Sequence, residues 1–98
     1  MARLDELAQG IAGVLRAAPT PEPLPIDMVN ETPAAAAVFV RAVIESCARL
    51  AAPIAQVAID PVLGSSLLGE HADGYEGVKF LADDRLANRI EFFRFPRP

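Results

Sequence analysis

The residues best equipped for chemistry sit together in Glu70-His71-Ala72-Asp73-Gly74-Tyr75-Glu76-Gly77, which holds the chain's only histidine, its only tyrosine and three carboxylates. Imidazole titrates near neutrality, so His71 beside Glu70, Asp73 and Glu76 could ligate a hard or borderline divalent metal or supply an acid/base pair. Against this, polar and turn-forming residues collect in loops for conformational reasons, and a solvated loop that contains one histidine is the preferred reading. No catalytic residue, metal or cofactor is therefore expected, and Glu70, His71, Asp73 and Glu76 are the metal candidates of the alternative. Gly64-Ser65-Ser66 begins like a nucleophile elbow but the closing glycine is missing. Gly74-Tyr75-Glu76-Gly77 has the spacing of a nucleotide-clamping loop, yet Asp73 and Glu76 would repel phosphate. The single cysteine, Cys47, excludes an intrachain disulfide, and with one histidine it excludes a cysteine/histidine zinc cage. It falls on the apolar side of a predicted helix, where a thiol acts as a small hydrophobe.

Charge narrows the partners. Nine basic against thirteen acidic residues give −4, which weighs against direct nucleic-acid binding and against attraction to anionic membranes. The distribution is uneven: 60–84 carries six acids and one lysine, whereas 85–98 carries four arginines and one acid. Arg85, Arg89, Arg94 and Arg97 interleave with Phe92, Phe93 and Phe95, but self-pairing with the acidic stretch accounts for them more simply than stacking on single strands. Two acids in Met-Ala-Arg-Leu-Asp-Glu occupy the place where a secretory leader needs positive charge followed by an apolar run, so a cytoplasmic location is expected. The most apolar stretch, Ala34 to Ile44, is interrupted by Arg41 and is far shorter than a membrane span. Eighteen alanines and eight arginines to one lysine match the usage of a high-GC bacterial genome.

The elements that must position these residues follow from periodicity. Leu4, Leu7, Ala8, Ile11, Val14 and Leu15 have the spacing of an amphipathic helix over 2–17, with Gly10 and Gly13 permitting close approach to a neighbour. Four prolines make 19–25 an extended linker, followed by a short apolar plug at 26–29. Thr32 as cap and Pro33 at the first position open a second helix over 33–52, which buries Phe39, Val40, Val43, Ile44, Cys47, Leu50 and Ala51. Arg41, Glu45 and Arg49 form a ladder on its far side that reads as solvated. Asn30-Glu31-Thr32 also matches a glycosylation sequon, but capping explains Thr32.

After Pro53 the period becomes two, giving a strand over 54–60. The connection 61–77 is longer than most in a compact domain, and Val62, Leu63, Leu67 and Leu68 could tie down a helical turn within it. A hairpin over 78–95 follows, with a bulge at Phe92-Phe93, although Leu86, Ile90 and Phe93 also fit a helix opened by Asp83. The expected fold is a single α+β domain over 1–98, with two N-terminal helices on one face of a three-stranded antiparallel sheet in the order α-α-β-β-β. Val78, Phe80, Ile90 and Phe92 would face the helices, leaving Leu81, Phe93 and Phe95 on an open aromatic face suited to an interface.

These features point to a small acidic, non-catalytic protein that binds another protein as a regulator, adaptor or inhibitor, and that forms a homodimer. The expected partner-binding residues are Leu81, Phe93 and Phe95 on the sheet and Asp73, Glu76 and Asp83 in the acidic stretch. In one form of this reading the acidic loop imitates nucleic-acid phosphates and occupies a basic groove. The alternative is a small metal-dependent ligand-binding protein or enzyme built on Glu70, His71, Asp73 and Glu76.

Overall fold

In the computed structural model, which describes residues 2–17, 24–28, 31–50 and 54–93, three-and-four spacing does produce two long helices, α1 (Ala2–Ala17) and α2 (Pro33–Arg49). The Thr32 side chain accepts a hydrogen bond from the Ala35 N–H at 3.1 Å, and Pro33 occupies the first turn, so the cap read from sequence forms. Phe39, Val40, Val43, Ile44 and Cys47 are buried, as the apolar stripe requires, and Leu50 is half-buried. Helix α2 ends at Arg49, three residues before the expected stop.

Two details of α1 depart from expectation. Ala8, Ile11 and Ala12 pack against α2, but Val14 is 57% exposed. Gly10 and Gly13 are exposed with open space beside them, so the close helix approach is made by the alanines and not by the glycines. The side chains of Leu4, Leu7 and Leu15, most of the linker at 19–23, Val29, residues 51–53 including Ala51, and Phe95 with both flanking arginines lie outside the described residues.

The protein is α+β, but the sheet has four strands and is mixed, which corrects the three-stranded antiparallel expectation. The strands are β1 (Leu24–Asp27), β2 (Gln56–Ile59), β3 (Lys79–Ala82) and β4 (Arg89–Phe93), arranged β1-β4-β2-β3. Strand β4 pairs antiparallel with β1 on one side and β2 on the other, while β3 pairs parallel with β2. The expected hairpin over 78–95 is therefore split, with β2 inserted between its two arms. A parallel pair cannot be closed by a tight turn and needs a crossover of a dozen or more residues. That is why 61–77 is long, and it contains a short helix, α3 (Ser65–Glu70).

Strand β1 lies where the sequence suggests the end of a proline linker and the start of an apolar plug. The Met28 N–H donates to the Asn88 carbonyl at 2.8 Å, and alternation then turns Ile26 toward β4 and Pro25 away from it. Pro25 is tolerated because its missing donor faces the outer edge. The register 56↔93, 57↔92 runs without interruption, so Phe92-Phe93 makes no bulge.

The segment joining β3 to β4 passes over the end of β2. Asp83 caps a single 3-10 turn (Asp84–Leu86), the Asp83 N–H donates to the Ile59 carbonyl at 2.9 Å, and Asp60 accepts the Asn88 N–H at 3.2 Å. Ala87 and Asn88 both have positive φ, 36° and 65°, which reverses the chain into β4.

All three helices cover one face of the sheet. There Phe80, Ile90 and Phe92 join Val57, Ile59 and the helix residues in one core, with Phe39 meeting Phe92 edge-on at 6.1 Å between ring centres. For Val78, Phe80, Leu81, Ile90, Phe92 and Phe93 the predicted division of faces is correct even though the predicted pairing is not. On the other face Ala58, Leu86 and Phe93 form a smaller cluster with Leu81 against it. Among the described residues no helix is long and apolar enough to cross a membrane.

Candidate functional site

Residues 70–78 are held in place by their own backbone before any side chain acts. The His71 N–H closes α3 on the Leu67 carbonyl at 2.8 Å, and the Gly74 N–H returns to the His71 carbonyl at 3.0 Å. Tyr75 and Val78 exchange both backbone bonds at 3.0 and 2.9 Å around a two-residue turn in which Glu76 and Gly77 have φ of 51° and 80°. Two consecutive positive φ values define the tight turn favoured between antiparallel segments. Gly74 has φ of 107°, and a Cβ there would come within 2.3 Å of the Val78 carbonyl oxygen, so only glycine fits.

This segment docks on the charged ladder of α2. Arg41 Nη1 lies 3.1 Å from Glu70 Oε2, and the Tyr75 hydroxyl donates to Glu45 Oε2. His71 sits edge-on to the Tyr75 ring at 5.0 Å, with Nε2 4.0 Å from the same Glu70 oxygen. Arg49 turns to Ser46 Oγ at 3.1 Å within its own helix. Two members of the ladder, Arg41 and Glu45, thus receive the loop, with the Arg41 side chain only 27% exposed, while Glu45 and Arg49 are exposed as the sequence suggests. A groove of about 350 Å³ runs between Glu45, Ala48 and Arg49 of α2 and Glu76 and Val78 of the turn.

Electrostatics follows from this docking. The hydrogen bond to Glu45 raises the Tyr75 pKa above its ordinary value, with desolvation and the charges of Glu45 and Glu76 adding to the effect and Arg41 opposing it. The phenol is held protonated as a donor, the opposite of what a phenolate base needs.

The metal candidates are only partly brought together. Glu70 and His71 adjoin, while Asp73 and Glu76 are exposed on the turn beyond them. Among the described residues no group of three or more histidine, cysteine, aspartate or glutamate side chains is placed to hold a metal ion.

Of the partner-binding candidates, Leu81 is half-buried at the margin of the outer cluster and Phe93 is buried within it, 5% exposed. Asp83 faces inward onto its own turn, receiving the Arg85 N–H and both Arg85 Nε and Nη2 at 3.0 Å. That pairing raises the Arg85 pKa. Sequence reasoning missed Arg41 and Glu45. The signal was a complementary pair of features: one helix with one charged stripe, and one long connection carrying the chain's only tyrosine beside three acids. No protein-family model, curated protein or solved structure matches the chain.

Proposed function

We propose that this protein is a non-catalytic binding protein whose partner is another protein, engaged through the acidic turn at 73–76 and the adjoining groove on α2. One observation carries the reading: the groups in 70–77 most suited to chemistry are engaged in attaching the loop to α2, Glu70 with Arg41, Tyr75 with Glu45 and His71 on the Tyr75 ring. What the loop offers outward is Asp73 and, on the two-residue turn that follows it, Glu76, both exposed, with Glu76 lining a groove of mixed polarity. A pre-shaped, charged and partly apolar surface suits recognition of a basic protein surface, with little ordering required on contact. The acids of 60–84 are not a continuous row, since Asp60, Glu70 and Asp83 are engaged with Asn88, Arg41 and Arg85. The reading therefore keeps to a protein partner and not to imitation of a phosphate backbone.

The test compares two variants in cross-linked pull-down and in native mass spectrometry of protein purified without added metal. Asp73→Lys with Glu76→Lys is expected to lose a captured protein partner, and His71→Ala to retain it. A stoichiometric metal or small-molecule mass increment that disappears in His71→Ala would overturn the proposal.

A further inference from the structure

The groove between α2 and the turn at 75–78 combines an apolar floor with an acidic rim. Ile44, Ile54 and Val78 form the floor, each no more than 4% exposed, and Ala48 stands beside them on α2. Glu45 comes to the rim from the helix and Glu76 from the turn, and both are exposed. The volume of about 350 Å³ lies at the small end of ligand cavities, a size that suits one long side chain.

The rim keeps its negative charge because the nearest cations are engaged elsewhere. Arg49 borders the groove and follows Glu45 by four residues, the spacing at which opposite charges on a helix pair. Its Nη2 instead donates to Ser46 Oγ at 3.1 Å, and Ser46 does not line the groove. Arg41 is held by Glu70. Among the described residues neither Glu45 nor Glu76 has an ion-pair partner, and Glu45 accepts only the neutral Tyr75 hydroxyl, on Oε2. Both carboxylates act on that one hydroxyl: the Glu45 hydrogen bond leads in raising the Tyr75 pKa, and the charges of Glu45 and Glu76 add to it.

From this arrangement we infer that the groove takes an arginine side chain of the partner protein, with its methylene stem on Ile44, Ile54 and Val78 and its guanidinium between Glu45 and Glu76. Two negative charges above an apolar floor complement a cation carried on an apolar stem. The guanidinium offers five N–H donors in a planar fork and is more weakly hydrated than an ammonium, so it suits two carboxylates that approach from different elements. Glu45 meets it through Oε1, since Oε2 holds Tyr75. Asp73 does not line the groove and contributes potential without contact. This inference rests on the protein-binding reading and states what the partner must present.

The test uses the full chain and N-acetyl-argininamide as probe, followed through the ring resonances of Tyr75, the only tyrosine. Saturable shifts with a Kd on the order of a millimolar are expected for an isolated side chain. Saturating probe should also lower the phenolate midpoint, because the bound cation opposes the charges of Glu45 and Glu76. Neutral N-acetyl-citrullinamide, of nearly the same shape, is expected not to bind. Glu76→Gln keeps the side-chain size and removes one charge, and is expected to weaken binding about tenfold. Ala48→Phe obstructs the groove from an exposed helix position without altering charge, and is expected to abolish the shifts. The inference is overturned by a lack of saturable shifts, by equal binding of the citrulline compound, by unchanged affinity in Glu76→Gln, or by binding that survives Ala48→Phe. If Ala48→Phe does not fold, the citrulline compound and Glu76→Gln decide. Failure here leaves capture of a partner through Asp73 and Glu76 standing, because reversal of those two charges is read without the probe; retention of the partner by that double variant sinks the protein-binding reading whatever the probe does.

Discussion

The two faces of the sheet are closed by different means. The inner face meets three helices, and its side chains Val57, Ile59, Phe80, Ile90 and Phe92 enter one continuous core. Among the described residues the outer face carries a smaller apolar cluster, Ala58, Leu86 and Phe93 with Leu81 against it, and the 3-10 turn carries Leu86 across the end of β2. Gln56 lies on this same face, since its register partner is Phe93, and its buried Nε2 has no hydrogen-bond partner among the described residues. A core assembled by long helices gains its stability from burial over many residues, whereas the described outer cluster is small and Leu86 of the closing turn is one of its three buried members.

Substitutions can break or sharpen that contrast. Phe92→Ala removes a fully buried ring and its contact with Phe39, and is expected to destabilise by about 3–5 kcal/mol in chemical denaturation. Leu86→Ala opens the outer cluster at its margin and should cost about 2 kcal/mol, while exposing Phe93 and increasing dye binding by hydrophobic surface. A loss as large as that for Phe92→Ala would show that the outer cluster is as tightly integrated as the inner core. Gln56→Leu removes the unpaired amide donor and is expected to stabilise by about 1 kcal/mol. Ala87→Gly relieves the left-handed backbone of the closing turn and is expected to raise stability by about 0.5 kcal/mol, read as a small increase in Tm.

The smallest effect is a titration. Tyr75 is the only tyrosine and the chain has no tryptophan, so phenolate absorbance reports this residue alone. Its midpoint is expected above 10 in the native protein and at the ordinary value in denaturant. Because the folded value is the higher one, the unfolded chain loses its proton first. The stabilising contribution is complete below 10 and disappears as the pH rises from 10 through the folded value. Glu45→Gln, which removes the charge and keeps an acceptor, should lower the native midpoint.

Much of this architecture is legible in the residues, and the failures share a cause. Helical spacing and the Thr32-Pro33 cap locate α2 because both are local signals. Alternation along Val78 to Leu81 and along Arg89 to Phe93 reports which face each residue takes, and both assignments are correct. It carries no information about which strand is the neighbour, so two adjacent runs read as a hairpin when β2 lies between them. Strand β1 was masked by its prolines, whose cost vanishes only at an edge, and edges are a property of the assembled sheet. The site fared similarly. The unusual composition of 70–77 is visible, but that Arg41 and Glu45 receive it depends on α3 packing against α2, which no spacing in the sequence encodes.

The strand order has a consequence for the timing of folding. Strand β4 is the last strand described in the chain, yet it lies between β1 and β2 and joins them. During synthesis β1 has no neighbour until Arg89–Phe93 has emerged, and a nascent chain can assemble at most the helices and the parallel β2–β3 unit. Pairings that must wait for distant sequence form slowly and leave apolar surface uncovered meanwhile. A ribosome-stalled chain ending near residue 88 should therefore remain susceptible to protease, and protection should appear only once β4 has cleared the exit tunnel.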